Sequence, residues 1–168
     1  GEFIWSINAG SAGKDTPYDL LVNERDEIYI LGQTSEQSDF GGKKPDGDRF
    51  IARLDQDGAF HWALGFESGD QLHIGRMTSL GGGLIGAIGY HKGEHTFGEH
   101  TIKSNGGSDI LFMTFNSDGE IKSAYSWGGP KDDFGYDVVG YEGNKLAFTA
   151  TVNDSLSILD TTIDNNGE

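Results

Sequence analysis

Three histidines and two glutamates within ten residues give the first candidate chemistry. In "HKGEHTFGEH" (91–100), His91, His95 and His100 stand beside Glu94 and Glu99, ligand types that suit zinc or copper. A common face for His91 and His95 would require a helix, because helical spacing is what brings i and i+4 together. Gly93 and Gly98 predict a loop instead. The segment therefore reads as a solvated polar loop, and neither a metal nor any other cofactor is expected.

Carboxylates recur in two patterns. "DQDG" (55–58), "NSDG" (116–119) and "DNNG" (164–167) are like pieces of a calcium loop, but a full loop spreads oxygen ligands over about a dozen residues and closes on a Glu. Asp or Asn before Gly is what a tight hairpin turn requires, since Gly takes positive φ at little cost. Asp46 with Asp48, and Asp132 with Asp133, could supply the two carboxyl groups of a glycoside hydrolase. Asp48 has a counterpart in Asp109, however, and Asp133 in Asp15, at matching places of the repeat described below. A reacting group is needed once, so a position that returns in each unit reads as structural. There is no Gly-x-Ser-x-Gly elbow, and "LGGGLIGAIG" (80–89) lacks the helix and lysine of a phosphate-binding loop. It reads as a bulged hairpin. No catalytic residue is assigned, and the chain is not expected to be an enzyme.

The elements that must carry these residues are short. The 168 residues include 27 glycines and 3 prolines, scattered between β-branched and aromatic runs. That is the composition of many strands joined by tight turns. No window keeps apolar residues at i, i+3, i+4 and i+7 without a glycine or turn, so the expected fold class is all-β. The length suits one ordinary domain. With 27 acidic against 12 basic residues the formal charge is −15, which repels phosphate backbones and anionic headgroups. Nucleic acid is not an expected partner. No apolar run reaches the roughly 18 residues of a membrane span, so membrane insertion is not expected either. Cysteine is absent, which excludes disulfides and thiolate metal sites.

The chain repeats itself. "YILGQT" (29–34) matches "GAIGYH" (86–91), and "DFGG" (39–42) matches "TFGE" (96–99), both 57 residues apart. "GDRFIARLDQDG" (47–58) matches "SDILFMTFNSDG" (108–119) at 61. "AGSAGKDTPYDLLV" (9–22) matches "WGGPKDDFGYDVVG" (127–140) at 118, about two periods. In the first unit four strand-like runs are predicted, Tyr18 to Val22, Ile28 to Leu31, Arg49 to Leu54 and Ala59 to Leu64. Alternation puts Phe50, Ala52 and Leu54 on one face, and Phe60, Trp62 and Leu64 on one face of the next strand. Four-stranded sheets repeated radially make a β-propeller, which closes with about four to eight blades.

"DRFIARLDQDG" (48–58), "DILFMTFNSDG" (109–119), "WGGPKDDFGYDV" (127–138), "DEIYILG" (26–32) and "GNKLAFTA" (143–150) together resemble the bacterial SBBP-type β-propeller repeat over essentially the whole chain. Two departures are Ser123, where the repeat has its Trp strand, and "FESGDQLH" (66–73) in place of Gly-Gly-x-x-x-Asp. The resemblance implies a propeller of four-stranded antiparallel blades, present here as a partial ring of about three. Residues 1–168 divide into a strand at 3–7 completing a preceding blade, blades at 15–66 and 70–127, and an incomplete blade at 133–168. It also implies a secreted or cell-surface scaffold that contacts protein or glycan, the remaining blades coming from a longer chain or another copy. A propeller enzyme such as a glycosidase or lyase, and a structural spacer, are the alternatives. Binding is expected in the long segments 33–48 and 90–108, where Tyr90, His91 and His95 are the candidate residues.

Overall fold

The computed structural model describes every residue except 36, 68–70, 143–144, 159–160 and 165–168. Among the described residues the structure is strand and turn without helix. All sheet pairings are antiparallel. Strands β1 (Asp15–Val22), β2 (Ile28–Thr34), β3 (Arg49–Leu54) and β4 (Phe60–Phe66) form a sheet in chain order. A second sheet takes the order β5 (Leu72–Gly81), β6 (Leu84–His91), β9 (Asp109–Asn116), β10 (Ile121–Trp127). Between its second and third strands lies a two-stranded ribbon, β7 (Glu94–Phe97) with β8 (His100–Lys103). A third unit begins with β11 (Phe134–Tyr141) against β12 (Lys145–Thr151), followed by a ribbon of β13 (Ser155–Ile158) with β14 (Thr161–Asp164).

One turn device closes three hairpins. The side-chain oxygen of Asn23 accepts from the N–H groups of Arg25 and Glu27, Asp55 Oδ1 from Asp57 and Ala59, and Asn116 Oδ1 from Asp118 and Glu120. Each is an Asx turn. The fourth residue of each takes positive φ: Asp26 at 57°, Gly58 at 82° and Gly119 at 82°. The first side chain of "DQDG" and of "NSDG" is thus turned onto backbone N–H groups through Asp55 Oδ1 and Asn116 Oδ1. "DNNG" falls partly outside the described residues.

Each sheet has a leading face, toward the preceding unit, and a trailing face, toward the next. On the trailing face of unit one Tyr29, Leu31 and Ile51 are fully buried against Ile74, Ile85, Leu111, Met113 and Phe115 of unit two. On the trailing face of unit two Ile88, Ile110, Phe112 and Trp127 meet Val138, Leu146 and Phe148 of unit three. The leading face of unit one carries its own cluster of Phe40, Phe50, Ala52, Leu54 and Phe60.

A tryptophan latches neighbouring units. Trp62 of β4 donates its indole N–H to the Ser117 carbonyl at 2.8 Å. Its ring lies against Gly119, where a Cβ would come within 3.1 Å of it. Trp5 does the same one unit earlier, donating to the Gln56 carbonyl and lying against Gly58. Glycine is required at both turns because the ring occupies the place of the side chain.

Two expectations need correction. Residues 3–7 form no strand, although Trp5 holds the place that Trp62 holds in β4. Segment 90–108 is not simply a loop: Tyr90 and His91 end β6, and β7 and β8 follow. "LGGGLIGAIG" is a hairpin with a register shift between Ser79 and Gly81, as expected. The irregular "FESGDQLH" and the "GNKLAFTA" motif lie partly outside the described residues. No helix of the described residues is long and apolar enough to cross a membrane, which says nothing about crossing by strands.

Candidate binding rim and its polar cluster

The connections between second and third strands, and those from one unit to the next, emerge at one end of the sheets and are the long ones. The three candidate residues sit at this rim but do not act together. Alternation along β6 sends Tyr90 to the trailing face and His91 to the leading face.

Tyr90 belongs to an aromatic row that crosses three units. The Tyr18 ring meets His73 edge-on at 5.2 Å, His73 stacks on Tyr90 at 5.0 Å, and Tyr90 meets Phe134 edge-on at 4.9 Å. All four are half-buried. The Arg49 guanidinium lies 5.8 Å from the Tyr18 ring centre, and Arg76 donates to the Tyr18 carbonyl. Burial first, then these two guanidinium groups, lower the His73 pKa. A row of rings with guanidinium groups alongside can stack against flat apolar faces and hydrogen-bond hydroxyl or carboxylate groups.

His91 is completely buried. Its Nε2 lies 2.8 Å from Ser126 Oγ, and Ser126 Oγ donates to Asp109 Oδ2 at 3.1 Å. Ser126 has one proton. With that proton on the Asp109 carboxylate, His91 Nε2–H must be the donor to Ser126, so the chain of donors runs from histidine through serine to carboxylate. The hydroxyl is thereby not poised as a nucleophile, which would need its proton directed at the imidazole. Burial pushes the His91 pKa down to about 4 and raises that of Asp109.

A turn, not a helix, brings His91 and His95 together. Gly93 at φ 82° reverses the chain, and the two rings meet edge-on at 5.5 Å. The helical requirement expected for this pair is corrected accordingly. His95 bonds the Lys92 carbonyl and stacks over Phe97. Among the described residues no group of three or more His, Cys, Asp or Glu side chains stands close enough to hold a metal.

The polar cluster is peculiar to unit two. At the repeat position of His91 the other units have Thr34 and Val152, at that of His95 they have Ser38 and Leu156, and Ser126 corresponds to Gly65. Only Asp109 has a counterpart acid, Asp48.

Both carboxylates of one candidate hydrolytic pair, Asp132 and Asp133, are caps. Asp133 is fully buried and accepts from Gly129 N at 2.8 Å and Asn153 N at 2.9 Å, while Asp132 accepts from Ser108 N. Asp15 accepts from Ser11 N, the same bond two periods earlier in the chain. Asp46 and Asp132 line two open depressions of about 510 and 630 Å³ at equivalent places on the rim. Gly128 sits between Asp109 and Asp133, where a Cβ would come within 2.5 Å of the Asp109 Cγ and 2.9 Å of Asp133 Oδ2. Gly128→Ala is expected to cost about 2 kcal/mol through overpacking, measured as a lowered urea midpoint with an unchanged slope.

Sequence reasoning missed the aromatic row because Tyr18 and Phe134 belong to different units from Tyr90 and His73, and it missed Ser126. No protein-family model and no curated protein matches the chain.

Proposed function

We propose that this chain is a section of a β-propeller of the SBBP-repeat type, a non-catalytic scaffold of a secreted or cell-surface bacterial protein. On this reading the four-stranded sheets are blades, the first strands β1, β5 and β11 face the propeller axis, and the rim that carries Tyr90 contacts protein or glycan. One observation carries it: units one and two share a four-stranded order and are joined by the same tryptophan-to-turn latch, with Trp5 and Trp62 on equivalent carbonyls. The way the carboxylates are spent supports the non-catalytic role, because Asp15 and Asp133 cap backbone N–H groups at matching positions. Remaining blades come from the same longer chain or from another copy.

The rim is tested by applying the purified chain to a glycan array and repeating it with Tyr90→Ala. Binding is expected to fall about tenfold when an aromatic contact of this kind is removed. Retained binding by the variant would move the contact away from the aromatic row. Chain-dependent cleavage of an arrayed glycan would favour the propeller-enzyme reading, with His91, Ser126 and Asp109 as the residues to examine. A featureless array would favour the spacer.

A further inference from the structure

The two depressions at equivalent places on the rim carry opposite charges. Asp46, Asp48 and Glu67 line the one in unit one, and among the described residues no lysine or arginine does. The other, of about 630 Å³ between units two and three, has Lys92 and Lys131 on its wall with Gly106, Gly107, Asp132 and Asn153. The repeat shows how the charge was changed. Ser35 of unit one corresponds to Lys92 and to Asn153, and Glu67 corresponds to Gly128. A cation present in one unit only is not required by the packing that the units share.

Neither ammonium group is spent on a carboxylate. Lys44, Lys122 and Lys145 lie against Asp39, Glu120 and Glu142, whereas among the described residues Lys92 and Lys131 form no ion pair. Lys131 Nζ donates to the Asn153 carbonyl at 3.3 Å, which ties it across the depression. The walls themselves are backbone pressed on backbone. A Cβ on Gly106 would come within 2.5 Å of the Pro130 carbonyl oxygen, and one on Gly107 within 2.6 Å of that of Lys131. Asp132 Oδ1 accepts from the Ser108 N–H at 2.8 Å, and the Asn153 side-chain amide donates to the Asp132 carbonyl.

The depression adjoins the aromatic row. Lys92 stands two residues beyond Tyr90 and Lys131 three before Phe134, the two rings that meet edge-on at 4.9 Å. We propose that this place binds an acidic sugar, its carboxylate on the Lys92 and Lys131 ammonium groups and its ring against Tyr90 and Phe134. This rests on the reading that the rim contacts glycan, and it names the class of glycan. An ammonium group is a point charge with three donors, and an aromatic ring accepts the flat apolar face of a sugar. The ligand carries one charge rather than many. The formal charge of −15 repels a polyanion along its length, whereas screening over about 8 Å at physiological ionic strength leaves a single carboxylate to the groups that line the depression.

Titration of the purified chain with glucuronic acid and with glucose, followed by its amide resonances, tests this. Glucuronic acid is expected to shift the amides of Lys92, Gly106, Gly107 and Lys131 and to bind about tenfold tighter than glucose, the worth of one charge-assisted hydrogen bond. Lys92→Ser, the residue that unit one has, and Lys131→Ala are both at exposed positions and therefore compatible with folding. Each weakens glucuronic acid about tenfold and leaves glucose unchanged. Tyr90→Ala weakens both sugars. Equal affinity for the two sugars, or glucuronic acid binding that neither lysine variant alters, would overturn the proposal; a continued loss in Tyr90→Ala would then leave the glycan-binding rim standing without it. Inorganic phosphate separates a sugar from a free anion. If phosphate shifts the same amides as strongly and Tyr90→Ala leaves glucuronic acid binding unchanged, the depression takes a free anion and the acidic-sugar proposal is overturned. A chain that binds neither sugar sinks both this site and the glycan reading of the rim.

Discussion

Trp62→Ala lowers the stability of the chain by about 3 kcal/mol, the usual cost of truncating a large aromatic side chain in a packed site. The indole stands between units one and two, 6.0 Å from the ring centres of both Tyr29 and Phe115, and its N–H is bonded to Ser117. Truncation opens a cavity in the shared core and leaves that carbonyl without its donor. Trp62→Phe keeps most of the packing and is expected to cost about 1 kcal/mol for the lost hydrogen bond alone. Equilibrium urea unfolding measures both. The latch account also expects the alanine variant to loosen the coupling between unit one and unit two, seen as a broadened transition. If Trp62→Ala were as stable as Trp62→Phe, the ring would contribute nothing to the junction.

Acid weakens the fold through His91. Its pKa lies at about 4 in the folded chain, against an ordinary value near 6.5 when unfolded. Between these values the unfolded chain binds the additional proton. Stability is therefore full above pH 6.5, falls as pH drops through that window, and has fallen by up to about 3 kcal/mol near pH 4. His73, also lowered, acts in the same direction. Asp109 acts in the opposite one: its pKa is raised, so its carboxylate strains the fold at neutral pH and relieves it on protonation. The measurement is the difference between wild type and His91→Val, the residue type that unit three has at this place. The variant is expected to lose much less stability between pH 7 and pH 4.5. Equal losses would mean that the buried imidazole is not what titrates.

The turns were legible in the sequence because they rest on local chemistry. Asn23, Asp55 and Asn116 stand two and four residues before the N–H groups they accept from, and a spacing of that kind needs no knowledge of the rest of the chain. The strands of units one and two were legible for the same reason, since alternation and Asp-Gly turns bracket them. The ribbons were not. "EHTF" and "HTIK" are four residues each and mostly polar, and what holds them is Phe97 reaching back to Phe66 of the preceding unit. The burial of His91 had a signal that loop reasoning overlooked: in phase with Ile85 and Ala87 along β6, position 91 falls on the inward face. The link from His91 through Ser126 to Asp109 had none, because it joins residues 35 and 17 apart through the pairing of three strands.

The central claim is that successive sheets fan about an axis near their first strands, as blades do. The chain has no cysteine, so paired cysteines can be introduced and spin-labelled without background. One pair, Arg25→Cys with Gly82→Cys, reports the inner turns, which touch through the Arg25 guanidinium and the Gly82 carbonyl at 2.7 Å. The other, Asp57→Cys with Asp118→Cys, reports the equivalent outer turns. Electron–electron distance measurement on the two doubly labelled chains should give a longer separation for the outer pair than for the inner one. Equal separations would mean that the sheets stack in parallel, and the propeller account would be wrong.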